Sequence, residues 1–304
     1  MNRTNKLLSA LAVLIVVGLQ NLSAKAAIIP TNLSGLAVWL DAGALGLSDG
    51  ASVSDWQASG GTAYGAVQPT GTLQPTFHTS VINGLPVVRF DNPSNGNHSM
   101  RINDTASTHA TYNSLGLTGG ITYFAVAKPT TASENGILGS QVLVSDSDNF
   151  VPFAVATDGI SAGRLAFGGT SKVSASIDDF VIVAATQTSI AGSASNTLNT
   201  YLTDALGNVS IGNTGNQTNH FADQGGLFLN LAADNTDNTN RFKFGGDLAE
   251  LIIYDRVLTG QELLDVGEYL YDKYFPIPEP NSITLGGLGL LALARYVRRR
   301  VRTA

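Results

Sequence analysis

The sequence contains no cysteine among its 304 residues. Disulfide bridges, zinc–thiolate sites and a cysteine nucleophile are therefore excluded. Histidine is almost as rare, because the chain has four, His78, His98, His109 and His220, scattered through polar segments. No His-Glu-x-x-His pattern occurs. The histidines thus give no support to a zinc enzyme or to a Ser-His-Asp hydrolase.

Positive charge is scarce in the middle of the chain. Between residues 27 and 275 there are nine Lys and Arg against 22 Asp and Glu, a net charge of −13. Affinity for phosphate groups depends on cationic side chains, so nucleic acid is not an expected partner. A negatively charged surface suits a protein that is soluble outside the cell.

The first 26 residues have the pattern of a signal peptide. Arg3 and Lys6 precede an apolar run over residues 7–19, and the small residues Ala24 and Ala26 form the site that a signal peptidase recognises. We predict export with cleavage after Ala26. The alternative is an uncleaved anchor, for which the 13-residue run is short against the roughly 20 residues of a membrane span.

The C-terminal tail, residues 276–304, contains three features in order. Pro278-Glu-Pro280 comes first, an apolar run over residues 283–294 follows, and five arginines come last. As a helix this 12-residue run is about 18 Å long against a hydrocarbon core of about 30 Å, so we expect a short membrane segment. The arginines would keep the body outside the cytoplasm. A buried core helix is the alternative, which the three glycines of the run disfavour.

These features of residues 276–302 resemble the PEP-CTERM sorting signal of Gram-negative bacteria. The resemblance implies recognition by an exosortase, a membrane cysteine protease, and cleavage near Pro278, Glu279 and Pro280. It also implies an intermediate held in the inner membrane, followed by delivery to the cell surface or the exopolysaccharide matrix. Such a signal is an address, and it leaves the role of residues 27–275 open.

Residues 27–275 carry a recurring strand pattern. Short β-branched or aromatic runs are bounded by Gly, Pro, Asn, Asp and Ser, which predicts an all-β sandwich or jelly roll. The predicted strands are residues 35–41, 85–90, 121–127, 151–156, 164–167, 180–184, 198–203, 226–231 and 246–254. One helix is predicted at 260–273, because Thr259 and Glu262 have capping-box spacing and apolar residues recur at helical intervals from Leu263 to Tyr274.

Three stretches of this body resemble the laminin-G-like group of concanavalin A-like lectin/glucanase jelly rolls. They are residues 35–41, 83–90 and 244–259, the last followed by the predicted helix. The resemblance implies that the first strand pairs with a near-last strand and that the Tyr-Asp-Arg turn at 254–256 leads into the helix. Because this architecture serves lectins, glycosidases and adhesion modules alike, it does not define an activity.

The glutamates of the body do not form a glycosidase pair. Retaining glycosidases need two carboxylates about 5 to 5.5 Å apart, usually on alternate residues of one strand. Glu134, Glu250, Glu262 and Glu268 are not spaced in this way. Glu250 is predicted to be a structural carboxylate, satisfied by backbone groups or by Arg256, and the alternative is an acid of raised pKa. We therefore predict no catalytic residue, and an aspartate pair stays open.

Calcium is the one cofactor that the sequence suggests. Residues 146–149 and 234–240 are rich in Asp and Asn, whose oxygens suit Ca²⁺, and Asp234 and Asp237 are the favoured ligands. Solvated turns are the alternative. For sugar binding, Trp56 and Tyr64 are candidate aromatic platforms, although the family resemblance favours a core position for Trp56.

Together these patterns predict an exported, non-enzymatic protein of the bacterial surface or matrix that binds glycan or has a structural role. Its expected partners are signal peptidase and exosortase during processing, and extracellular polysaccharide afterwards. The alternatives are a glycoside hydrolase or polysaccharide lyase of the same fold, or a module for protein assembly and adhesion.

Overall fold

The computed structural model describes residues 28–91, 98–104, 109–111, 113–130, 142–146, 153–162, 171–188, 196–212, 215–217, 229–232 and 244–275. The predicted signal peptide, the tail from residue 276 and the predicted strand at 164–167 lie outside these ranges, as do most of both candidate calcium loops. The structure therefore does not test what the sequence predicts for these segments. Within the described ranges, no helix is long and apolar enough to cross a membrane.

The described chain is mostly β-structure. Its strands are Leu36–Asp41 (β1), Asp55–Trp56 (β2), Tyr64–Val67 (β3), Thr76–Ile82 (β4), Leu85–Phe90 (β5), Met100–Asp104 (β6), Ile121–Pro129 (β7), Val142–Asp146 (β8), Phe153–Ala156 (β9), Gly159–Ala162 (β10), Ser171–Ser174 (β11), Val181–Gln187 (β12), Asn196–Thr203 (β13), Val209–Ile211 (β14), Gly215–Gln217 (β15), Leu229–Leu231 (β16) and Gly246–Tyr254 (β17). One α-helix, Gly260–Tyr274 (α1), follows β17. The predicted all-β class with a short C-terminal helix is confirmed.

Strand pairing arranges the sheet in two layers, as in a sandwich. In the first layer β17 lies between β7 on one side and β1 and β5 on the other, and β7 continues through β12 and β13 to β14 and β15. The second layer has the order β2, β3, β6, β16, β8, β9, β10, β11. A parallel bridge between Val38 and Tyr64 joins the layers. The antiparallel pairing of β1 with β17 confirms the predicted pairing of the first strand with a near-last one.

The central strands of the first layer are buried on both faces. On β7, Tyr123, Ala125 and Ala127 belong to the main core between the layers, whereas Phe124 and Val126 belong to a second core beneath α1. A strand covered on both faces favours a continuous apolar run over a polar alternation. This double burial explains the almost uninterrupted apolar sequence of β7.

Helix α1 begins where the capping pattern predicts. The Thr259 hydroxyl accepts a hydrogen bond from the Glu262 backbone N–H at 3.3 Å, and the Glu262 carboxylate accepts one from the Thr259 N–H at 2.8 Å. These reciprocal bonds satisfy backbone donors that a helix start leaves without partners. Val266, Leu270 and Tyr274 then bury one stripe of the helix against the first layer. The helix ends one residue beyond the predicted limit.

Candidate functional site

The two candidate sugar platforms are not exposed aromatic rings. Trp56 has no exposed surface and belongs to the main core, so the core interpretation of this residue is confirmed. Tyr64 is half-buried, and its hydroxyl donates to the Ser114 carbonyl at 2.6 Å. The platform hypothesis is therefore wrong for Trp56, and it stays a prediction for Tyr64.

The described histidines and acids do not cluster as a metal site. His98 accepts a hydrogen bond from the Asp91 N–H at 3.0 Å, and burial lowers the pKa of His109. Within the described ranges, no three or more His, Asp or Glu side chains come close enough to hold a metal ion. Asp234 and Asp237 lie outside those ranges, so calcium binding there stays a prediction.

A Gly-x-Ser-x-Gly pattern at residues 46–50 is a signal that sequence reasoning missed. The structure places it in an exposed loop after β1, where no strand runs directly into an α-helix. Asp49 accepts a hydrogen bond from the Thr79 N–H at 3.0 Å and lies 3.5 Å from His78 Nδ1. The pattern is therefore a polar turn, since a nucleophile elbow needs a sharp strand-to-helix turn.

The orientation of Glu250 depends on a β-bulge. In the pairing of β17 with β7, Leu248 lies opposite Ala127 and Glu250 opposite Val126, so Ala249 is an extra residue. A bulge reverses the alternation of side chains that follows it. Glu250 consequently faces α1 instead of the main core, and Leu251 enters the core in its place.

The Glu250 carboxylate is fully buried and accepts four hydrogen bonds. The donors are Trp39 Nε1 at 2.6 Å, the Tyr274 hydroxyl at 2.8 Å, the Tyr269 hydroxyl at 3.0 Å and Lys273 Nζ at 2.7 Å. Burial raises the pKa of Glu250, and the Lys273 ammonium opposes part of this rise. The structural role predicted for this carboxylate fits these contacts, but its partners differ from those expected.

Arg256, the expected partner of Glu250, instead holds Glu262. Its guanidinium donates to both Glu262 oxygens, at 2.9 and 2.7 Å, and its Nε donates to the Ser34 carbonyl at 3.0 Å. The Arg256 guanidinium, together with the Thr259 N–H, lowers the pKa of Glu262 to about 2. The expectation was wrong because the capping box places Glu262 beside the turn that carries Arg256.

A charged cleft of about 520 Å³ opens at one end of the first layer. The ends of β5 and β7 and the starts of β12 and β17 meet there, because neighbouring strands are antiparallel. The side chains that give the cleft its character are Arg89, Asp91, Lys128, Asp179, Phe180 and Asp247. None of them was singled out from the sequence, since they lie on four segments far apart in the chain.

Two ion pairs shape the charged cleft. Arg89 donates to both oxygens of Asp247, at 2.6 and 2.9 Å, and this contact raises the pKa of Arg89. Asp247 is only 5% exposed while Arg89 is 42% exposed, so a buried carboxylate fixes an accessible guanidinium. On the other wall, Lys128 Nζ lies 3.4 Å from Asp179 and 5.9 Å from the centre of the Phe180 ring. The cleft thus presents oriented donors next to carboxylate acceptors.

The floor of the cleft requires glycine at position 246. Gly246 has φ of +150°, and a Cβ there would lie 2.3 Å from the Lys128 carbonyl oxygen. Only a residue without a side chain allows β17 to begin this close to the end of β7. The backbone contact thereby brings Asp247 and Lys128 to the same cleft.

An apolar groove of about 740 Å³ lies elsewhere on the first layer, between α1 and strands β12, β13 and β14. Its sheet side includes Ile182, Val209 and Ile211, and its helix side includes Leu264 and Gly267. Val209 is 59% exposed and Ile211 70% exposed, so the β14 rim presents apolar side chains to water.

Solved structures that are similar to this chain share little sequence identity with it. Domain 4 of the GH43 extracellular arabinanase AbnA from Geobacillus stearothermophilus, solved with arabinotriose, is 11% identical over 76% of this chain and 97% of its own, with a TM-score of 0.46. A Trypanosoma rangeli sialidase is 10% identical over 80% of this chain and 33% of its own, with a TM-score of 0.44. The CBM40 of a Ruminococcus gnavus IT-sialidase is 17% identical over 50% of this chain and 84% of its own, with a TM-score of 0.36. The sequence matches no curated protein.

The tail does match a described motif. Residues 276–300 match the PEP-CTERM protein-sorting motif, which includes Pro278, Glu279 and Pro280. This motif indicates an exported protein that passes through a membrane-anchored intermediate and is processed by an exosortase. The chain therefore joins the PEP-CTERM sorting motif of an exosortase substrate to a two-layered β-sheet domain.

Proposed function

We propose that this protein is a non-catalytic component of the bacterial cell surface or matrix that binds glycan in the charged cleft. The observation that supports the proposal most is the exposed guanidinium of Arg89, which the buried Asp247 holds in place beside Lys128. An extracellular destination, indicated by the sorting motif, brings such a cleft into contact with polysaccharide.

The chemistry of the cleft suits hydroxyl groups. Each sugar hydroxyl can donate one hydrogen bond and accept others, so a glycan site needs donors and acceptors side by side. Arg89 and Lys128 supply donors, and Asp91 and Asp179 supply acceptors. Because Asp247 fixes the guanidinium in advance, little conformational entropy is lost when a ligand binds.

The contacts of the carboxylates support a binding role over catalysis. Asp247 is held at both oxygens by Arg89, and Glu250 accepts four hydrogen bonds beneath α1. A general acid or a nucleophile must reach the substrate. A hydrolase or lyase acting in this cleft would therefore have to use the two other acids that line it, Asp91 and Asp179.

For processing, we propose a fixed order. Signal peptidase cuts after Ala26, the tail holds the protein in the inner membrane of a Gram-negative cell, and exosortase then cuts near Pro278, Glu279 and Pro280. Replacing Glu279 with alanine should leave full-length protein in the inner membrane, visible by fractionation and immunoblotting. Normal surface delivery of Glu279→Ala, at the size of the processed protein, would contradict this order.

Glycan binding can be tested with a glycan array and with extracted matrix polysaccharide. The chain freed of its signal peptide would be applied in calcium and in chelator, and the same samples assayed for reducing ends and unsaturated products. Binding without product supports the proposal. Product formation favours the hydrolase or lyase alternative, and loss of binding in chelator would point to calcium at Asp234 and Asp237.

A further inference from the structure

The apolar groove is a second surface that glycan binding does not use. It shares no lining residue with the charged cleft, and its walls are mainly aliphatic and aromatic. Val209, Ile211 and Leu264 at its rim are 59%, 70% and 66% exposed. Exposed apolar side chains concentrated at one groove mark a surface that another apolar element covers.

The helix side of the groove is shaped to receive another helix. Gly260 and Gly267 both line it and lie seven residues apart, which is close to two helical turns. A Cβ placed on either glycine meets no atom within 4 Å, so open space adjoins the backbone there. Glycine on a helix face lets a second helix approach closely, because no side chain keeps the two backbones apart.

We propose that the apolar run of the tail, residues 283–294, docks in this groove as a helix before the protein enters the membrane. Twelve residues form a helix of about 18 Å, and the groove follows α1 from Gly260 to Tyr271, a length of about 17 Å. The two lengths match to within one residue's rise.

The connection between helix and tail permits this docking. Helix α1 ends at Tyr274, and the eight residues 275–282 can span up to about 26 Å. Pro276, Pro278 and Pro280 cannot continue a helix, so we expect the tail to turn away from the axis of α1. The tail would then run back along α1 from Tyr271 towards Gly260.

The charges of the body and of the tail also favour the tail as the segment that fills the groove. The body carries a net charge of −13, whereas five arginines follow the apolar run of the tail. A docked tail would therefore bring a strongly basic segment onto an acidic surface, an attraction that salt weakens. The docked state keeps the apolar run out of water until the membrane and the exosortase take it, and cleavage then leaves the groove open.

Cysteine pairs can test the docking, because the chain has no cysteine of its own. In the antiparallel arrangement Leu290 lies opposite Leu264, so Leu264→Cys with Leu290→Cys should form an intramolecular disulfide on mild oxidation. The control pair is Asp272→Cys with Leu290→Cys, since Asp272 is exposed, closer to the tail in sequence, and not part of the groove. The chain would be used freed of its signal peptide, from a host without exosortase.

Docking predicts that the groove pair closes at least about tenfold faster than the control pair, because it raises the effective concentration of the two thiols. Adding Ile211→Arg should bring the groove pair down to the control rate, whereas Leu206→Arg, which is 83% exposed and outside the groove, should not. Equal rates for both pairs would overturn the proposal. A disulfide between two chains would overturn it too, and would assign the groove to a second copy.

Discussion

Asp41 and Glu250 lie directly opposite each other on the antiparallel strands β1 and β17. Two carboxylates in this position repel each other, and Lys273 Nζ lies 2.7 Å from an oxygen of each. Glu250 is fully buried, while the side chains of Asp41 and Lys273 are 18% and 22% exposed. A lysine near the end of α1 thus ties the C-terminal helix to the first and last strands of the sheet.

Removing this lysine should strongly destabilise the fold. Lys273→Met leaves a buried carboxylate without its cation, so we expect a loss of about 3 kcal/mol in the free energy of unfolding, measured with urea. The matched control is Lys128→Met, whose exposed pair with Asp179 should contribute less than about 1 kcal/mol. The double variant Glu250→Gln with Lys273→Met should recover part of the loss. A loss of under 1 kcal/mol for Lys273→Met would show that the cluster is not needed.

The tyrosines that donate to Glu250 should make stability depend on alkaline pH. Burial and the Glu250 carboxylate raise the pKa of Tyr269 and Tyr274. Because their pKa is higher in the folded state, their contribution is complete below about pH 10, the value for an unfolded chain, and is lost as pH rises above it. Each tyrosine should then cost about 1.4 kcal/mol per pH unit. The variant Tyr269→Phe with Tyr274→Phe should show a smaller slope of unfolding free energy against pH, and an unchanged slope would refute this assignment.

Glu262 should have the opposite pH dependence. Its pKa falls from an ordinary 4.5 to about 2 in the folded state, chiefly through Arg256. Its contribution is therefore complete above about pH 4.5 and is lost as pH falls through about 2. Because water still reaches the pair, whose side chains are 30% and 23% exposed, Glu262→Gln should cost no more than about 1 kcal/mol at pH 7. The difference between the native chain and Glu262→Gln, measured by urea unfolding, should shrink as pH falls from 4.5 and disappear only below about pH 2, and a constant difference would show that the carboxylate charge is irrelevant.

Two glycines should respond oppositely to the same substitution. In the processed chain, from which the tail has been removed, Gly267→Ala adds a Cβ that meets no atom within 4 Å, so it should stabilise α1 by up to about 1 kcal/mol. Gly246→Ala places the same methyl group 2.3 Å from a backbone oxygen, at a φ of +150°, and should lower the thermal midpoint by several degrees. Similar midpoints for the two variants in a thermal melt would contradict these contacts.

Local patterns predicted the elements of the fold, and long-range contacts determined the rest. The capping box of Thr259 and Glu262 spans four residues, so the start of α1 could be placed from sequence alone. The strand pattern of β17, with its apolar end Leu-Ile-Ile-Tyr at residues 251–254, was equally clear. The bulge at Ala249 has no such signal, because nothing in Leu-Ala-Glu-Leu shows where an extra residue enters the pairing.

The same bulge explains why the environment of Glu250 was missed. Strict alternation would place Glu250 on the face of Leu248, whereas it lies among donors from β1 and α1. Trp39, one of these donors, is 211 residues away in sequence. The charged cleft was missed for a similar reason, since Arg89 and Lys128 each look like ordinary strand residues until the sheet brings them together.

The most direct test of the account compares glycan binding by three forms of the chain. Matrix polysaccharide would be titrated against the native sequence, Lys128→Gln in the charged cleft, and Lys172→Gln on β11, outside it. If the cleft binds glycan, the native sequence and Lys172→Gln should bind alike, and Lys128→Gln should bind at least about tenfold more weakly, as loss of a charged hydrogen bond implies. Equal binding by all three forms would contradict the account.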